Sequence, residues 1–212
     1  MLTLPVCGGV KIDFSNLHAW KYFGKIPFVP KVKFYSLPGD KYPGACRLVV
    51  ESNKASGLLV CFPGLDVTKT PIVRWRWRLT SPLEGNADKH DEQALVLYIG
   101  DGNSLTQRTV AYRWEVTPEI GTRVNRIYSA GAVKMGGICM RNCNTPAGKW
   151  VTEERNILAD FKSFFIDDMK NCGIAVGANS QYSHQHSIGE IDYIEFLTPE
   201  EAAADPIPEA EK

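Results

Sequence analysis

The stretch Val73-Arg-Trp-Arg-Trp-Arg-Leu79 decides the fold class. Strict alternation over seven residues is the two-residue period of a β-strand, whose successive side chains leave opposite faces. Val73, Trp75, Trp77 and Leu79 then share one face, and Arg74, Arg76 and Arg78 share the other. The tryptophans read as core, because large aromatics dominate burial in a small domain. On the cationic face neighbouring guanidiniums stand about 7 Å apart, two strand rises. They repel unless carboxylates of adjacent strands or an anionic ligand lie between them. Glu115, Asp88, Asp91, Glu92 and Glu190 are the candidate acids.

Working outward, alternating or doubly apolar runs recur at residues 46–51, 57–62, 94–99, 110–116, 125–129, 172–178 and 189–196, with turn residues such as Pro63-Gly64 and Gly100-Asp-Gly102 between them. One helix is expected late in the chain. Thr152 is read as its N-cap, Glu153 and Glu154 occupy its first turn, and Leu158, Phe161, Phe164 and Phe165 form its apolar stripe. About eight short strands and one helix, without strand–helix alternation, predict an all-β fold: an antiparallel β-sandwich or jelly roll carrying one amphipathic helix. Residues 1–13 read as an N-terminal arm, 14–197 as one sandwich domain, and 198–212 as a Pro/Ala-rich acidic tail expected to fray.

The 212 residues carry 24 Lys+Arg and 24 Asp+Glu. Zero net charge argues against nucleic acid or an anionic membrane as a partner held by bulk electrostatics. No apolar run reaches the roughly 18–20 residues of a membrane-spanning helix. The N-terminal stretch lacks the basic and apolar regions of a signal peptide, so the expectation is a cytoplasmic chain or one whose leader has been removed. Of the six cysteines, Cys46, Cys61 and Cys172 fall in apolar strands and read as small buried side chains. Cys139 and Cys143 flank Met-Arg-Asn; they read as structural thiols or a small disulfide loop, with a metal pair as the sharper alternative.

Chemistry is nominated by few residues. If the cationic face lines a hollow, Arg74, Arg76 and Arg78 with Arg113, Glu115, Asn179 and Gln181 make a polar groove for sugar hydroxyls or carboxylates. The alternative is a salt-bridged outer sheet face. Trp20 and Trp150, near loops, are candidate stacking platforms or loop anchors. His184 and His186 are weak metal candidates, since no third ligand sits at a diagnostic spacing. His18 and His90 are isolated, and Asp88–Glu92 reads as a hard-cation loop or a solvated charge cluster. Nucleophile elbows, phosphate loops and dinucleotide fingerprints are absent, and no cofactor is expected.

Trp75-Arg-Trp-Arg78, the strand ending at Tyr98, Gly148-Lys-Trp150, Glu154-Arg-Asn156, Asp160-Phe161, Gly173-Ile-Ala-Val176 and Gly189-Glu-Ile-Asp192 occur in this order between about Phe14 and Phe196. Together they resemble the uncharacterised bacterial family catalogued as domain of unknown function 3047. The resemblance implies a jelly-roll-like sandwich, a periplasmic or secreted location and no assigned activity. Where many members carry an acidic Asp-x-Asp-Asn-Thr-like stretch, this chain reads Ala178-Asn-Ser-Gln-Tyr-Ser183, which lacks the carboxylates for an acid- or metal-dependent role.

The function expected from these residues is a non-catalytic, carbohydrate-binding-like sandwich taking an acidic or polar glycan. The alternatives are an accessory subunit held by a protein partner, and a polysaccharide lyase or glycoside hydrolase using Arg74, Arg76, Arg113 and Glu115. A haem or metal bound through His184, His186 or Met140 is the outlying possibility.

Overall fold

Two-residue alternation produces pleated ribbons with one face to bury, and two such sheets face to face bury both. The computed structural model describes residues 4–6, 9–24, 30–85, 91–102, 106–169 and 172–212; Cys7, Asp88 and His90 lie outside them. Among these residues the strands form two seven-stranded sheets.

The first sheet contains β1 (Leu4–Val6), β2 (Gly9–Lys11), β4 (Lys33–Pro38), β5 (Cys46–Asn53), β7 (Ile72–Ser81), β12 (Val151–Asn156) and β14 (His186–Leu197). The twelve-residue β14 is its spine, pairing with β7 along one edge and with β5 and then β2 along the other. β12 extends the sheet beyond β7.

The second sheet runs β10 (Arg123–Tyr128), β11 (Val133–Arg141), β9 (Gln107–Trp114), β8 (Gln93–Gly102), β13 (Gly173–Asn179), β6 (Ser56–Cys61) and β3 (Lys21–Phe23). All its neighbours are antiparallel except β11 and β9, which are parallel. The molecule is therefore the expected β-sandwich with a mixed second sheet.

The apolar face of β7 lies at the centre of the core. Trp75 and Trp77 have no exposed surface, and they meet Tyr112 and Trp114 of the opposing sheet at ring-centroid distances of 4.7 and 5.3 Å. The helix is shorter than its apolar stripe suggested. Thr152–Glu154 lie in β12 paired with β7, and α1 spans Ile157–Phe164. Asn156 is the N-cap, its side chain accepting from the Ala159 amide at 3.0 Å. Pairing across the sheet outweighed the local signal of a threonine followed by two glutamates.

β2, inside the anticipated N-terminal arm, pairs with β14. The acidic tail folds as α2 (Pro199–Ala204), closed by a capping box between Thr198 and Glu201. Cys139 and Cys143 are not joined in a disulfide; the first is buried and the second exposed.

Trp75→Ala should cost about 3–5 kcal/mol, as for a fully buried aromatic. Urea denaturation checks this, and a loss below about 1 kcal/mol is incompatible with the inter-sheet aromatic contact.

Candidate functional site

Because alternation places Arg74, Arg76 and Arg78 on the outer face of the first sheet, the antiparallel register of β14 sets Glu195 opposite Arg74 and Glu190 opposite Arg78. A bulge between Ile191 and Tyr193 delivers Asp192 to Arg76. Arg74 is 3% exposed. Its Nε and Nη2 donate to Glu154 at 2.9 and 2.6 Å, its Nη2 also donates to the Ala202 carbonyl, and its Nη1 donates to Asp205 of the tail. Arg76 pairs with Asp192 at 2.8 Å, and Arg78 with Glu190 at 2.9 Å.

Trp150 lies against the guanidiniums of Arg76 and Arg78, 4.7 and 4.2 Å from its ring centroid, while its Nε1 donates to Asp40. Its stacking surface is thus used internally. Trp20 is buried against Phe14, so it offers no platform. Glu211 of the tail reaches Lys41 and accepts from the Thr152 hydroxyl. Of the five acids anticipated for the row, Glu190 meets it. Glu92 instead accepts the amides of Tyr182 and Ser183, and Asp91 and Glu115 belong to the second sheet's cluster.

Arg113 and Glu115 do not join the arginine row. β9 lies in the opposite sheet, so the set Arg74, Arg76, Arg113 and Glu115 is divided between two outer faces. This separation removes the single groove, and the shared lyase or hydrolase site, expected from the sequence. Adjacent Glu153 and Glu154 are also divided. Glu153 accepts from Arg141 and from Trp77 Nε1, whereas Glu154 meets Arg74. Burial pushes the Glu153 carboxyl above the usual carboxylate range. It borders a cleft of about 640 Å³ between β12 and the tail, walled by Arg141, Ala203, Pro206 and Ile207.

The outer face of the second sheet has a different chemistry. Along β13, Ile174, Val176 and Ala178 join the core, which leaves Gly173, Ala175 and Gly177 on the outer side. Ala175 pairs with Tyr98 and Gly177 with Val96, and Val96, Tyr98, Ala111 and Met135 pack together there as a second small apolar cluster. At one end Phe62, 67% exposed, lies where a side chain on Gly173 would stand.

The other end is polar. Arg113, 2% exposed, pairs through Nη2 with Asp91 at 2.6 Å and with Glu115 at 2.9 Å. The Tyr128 hydroxyl donates to the second oxygen of Asp91. Gly137 makes room for this arrangement, since a Cβ there would stand 3.0 Å from Arg113 Cδ. Burial pushes the Tyr98 hydroxyl up to about 12, with the Asp91 charge adding to the rise and Arg113 opposing it.

Asn179 accepts from the Gln181 amide in the turn that Glu92 holds. Arg113, Glu115, Asn179 and Gln181 are thereby linked to one segment, Asp91–Glu92, away from the arginine row. His186 contacts Glu51 at 3.4 Å and His184 sits in the preceding turn at φ 57°. Among the described residues no three His, Cys, Asp or Glu side chains are grouped to hold a metal, and no helix is long and apolar enough to cross a membrane. Sequence reasoning missed Phe62, Tyr98, Arg126 and Tyr128. The alternation of small and apolar residues in Gly173–Ala178 was the available signal for this outer row of β13.

As a class the molecule is a two-sheet β-sandwich with one outer face closed by internal ion pairs and another carrying a small apolar cluster beside the buried Arg113. The chain belongs to the family described as Protein of unknown function (DUF3047), which it matches over residues 35–195. No curated protein matches it in sequence. Among solved structures it is similar to the xyloglucanase domain of NopAA, a type three effector from Sinorhizobium fredii, in complex with cellobiose. That match has 10% identity and a TM-score of 0.46, over 82% of this chain and 91% of that one. The cellulose induced protein Cip1 matches at 10% identity and a TM-score of 0.48, over 89% and 97%. The N-terminal CBM22-1-CBM22-2 tandem domain of Paenibacillus barcinonensis Xyn10C matches at 12% identity and a TM-score of 0.39, over 89% of this chain and 49% of the tandem.

Lys11 gives a pH test of the ionic layer on the first sheet. It lies over the Tyr42 ring and 3.8 Å from Glu195, and burial lowers its pKa from 10.5 to about 8. Between those values the unfolded chain binds more protons, so this contribution to stability is present above 10.5 and is lost as pH falls through about 8. The thiols of Cys61 and Cys172, raised from 9.0 by burial, act in the opposite sense from about pH 9, and Tyr42 and Tyr193, also raised by burial, do so near and above pH 10. The stability gap between the protein and Lys11→Met should therefore move in favour of the lysine form as pH rises from about 8 toward 10, because the thiol and tyrosine contributions are common to both. A gap that stays constant over that range rules out this contribution from Lys11.

Proposed function

We propose that this protein is a non-catalytic ligand-binding β-sandwich that takes a polar glycan segment on the outer face of its second sheet. A sugar ring presents an apolar face and an equatorial rim of hydroxyls, so a site for it needs an exposed ring and fixed polar groups. The observation that carries the proposal is the exposed Phe62 ring, seated over Gly173 on the same outer face as the Arg113–Asp91–Tyr128 cluster, with the Leu58 side chain over Gly177. From Gly173 to Asn179 the strand under this face runs seven residues, about 20 Å at the usual rise. The first sheet supports the same choice of face, because its arginines already satisfy the chain's own carboxylates.

Affinity electrophoresis against neutral and acidic polysaccharides tests the proposal. At least one polysaccharide should retard the protein, and Phe62→Ala should weaken that binding about fivefold to tenfold, the scale of one aromatic stacking contact. Arg78→Ala should leave binding unchanged while lowering stability. Absence of retardation by every polysaccharide, or loss through Arg78→Ala with Phe62→Ala silent, would overturn it.

A further inference from the structure

We propose that the Asp91 carboxylate is the chain's own occupant of a carboxylate subsite, and that the glycan taken by the second sheet carries hexuronate residues. This rests on the ligand face argued above and adds the chemical class of the sugar. Three donors from two strands converge on Asp91: Arg113 Nη2 at 2.6 Å, Arg126 Nε at 3.9 Å and the Tyr128 hydroxyl. Asp91 itself comes from the connection between β7 and β8. Guanidinium donors around a planar carboxylate form an arrangement that recognises any carboxylate of matching reach, whether from the chain or from a ligand.

Three features make Asp91 exchangeable. Its backbone stands at φ 56°, in the left-handed region that a non-glycine residue occupies at a cost. Its side chain is 26% exposed, whereas that of Arg113 beneath it is 3% exposed, so the carboxylate is the outer partner of the pair. Arg113 Nε and Nη1 have no hydrogen-bond partner among the described residues, so the buried guanidinium retains donors for acceptors beyond the two carboxylates it already meets.

Charge gives the same answer. Among the described residues, withdrawing Asp91 leaves Arg113 beside Glu115 and Arg126 without its carboxylate, one net positive charge that a single ligand carboxylate neutralises. A neutral sugar cannot replace Asp91 there without leaving that charge unpaired. Resident Asp91 therefore competes with ligand, and the apparent affinity is reduced by the fraction of molecules in which it occupies the subsite.

Calorimetric titration with an oligogalacturonate, a neutral oligosaccharide of equal length and a sulfated oligosaccharide tests this. The oligogalacturonate should bind at least about tenfold more tightly than the neutral sugar, one charge-assisted pair's worth of discrimination. Asp91→Gly, which removes the competitor and suits the positive φ, should tighten oligogalacturonate binding about threefold or more. Arg126→Ala, at a half-exposed side chain, should bring oligogalacturonate down to the neutral value and leave the neutral sugar unaffected.

Oligogalacturonate binding no tighter than the neutral sugar, or weakened by Asp91→Gly, overturns the subsite, as does tighter binding of the sulfated sugar. If neutral glycans bind in a Phe62-dependent way while uronates gain nothing, the subsite falls and the ligand face stands. If no glycan binds, both fall.

Discussion

The structure depends on one constraint: β7 cannot bury Trp75 and Trp77 without turning Arg74, Arg76 and Arg78 to the other side of the same ribbon. On the inner side the two indoles meet Tyr112 and Trp114 and join the sheets. On the outer side three guanidiniums, one of them almost wholly covered, require acids at matching heights. β14 supplies Glu190, Asp192 and Glu195 because its antiparallel register brings a carboxylate past each arginine, with the bulge restoring the phase at Asp192. Glu154 on β12 and Asp205 in the tail complete the set. The ion pairs follow from the tryptophans.

This division assigns different work to the two outer faces. A guanidinium held between its own chain's carboxylates, with a helix end above it, has little to offer an external anion, so the first sheet's face is structural. On the second sheet the small residues of β13 make room for neighbouring side chains, Phe62 over Gly173 and Leu58 over Gly177. Gly173, Ala175 and Gly177 alternate with core residues, and Gly137 yields its volume to Arg113. In the proposed reading, an exposed ring and charged groups held by sheet strands stand in place before a ligand arrives, which would lower the ordering cost of binding.

The sequence carried the parts of this that are local. Seven residues of strict alternation placed β7, its buried tryptophans and its cationic side, and the doubly apolar run 94–99 marked the central β8. What it did not carry is long-range pairing. Val133–Arg141, rich in glycine and interrupted by polar residues, becomes β11 only because β9 and β10 flank it. Thr152–Glu154 reads as a helix start until β7 claims it as an edge strand. The tail looked unable to bury anything, yet its acids fold over an arginine row some 130 positions earlier in the chain. The proposed groove failed for the same reason: nothing in the sequence says that Arg76 and Arg113 belong to opposite sheets. The small-residue alternation in β13 was legible, and only the sheet order shows that it adjoins Tyr98.

The most direct test of this division of labour is to map backbone amide shifts by NMR while titrating the tightest-binding glycan. Shifts clustered on β6, β8, β13 and the Asp91–Glu92 segment, with β7, β14 and α2 silent, are the expected result. Shifts concentrated around Arg74, Arg76, Arg78 and the tail would contradict it.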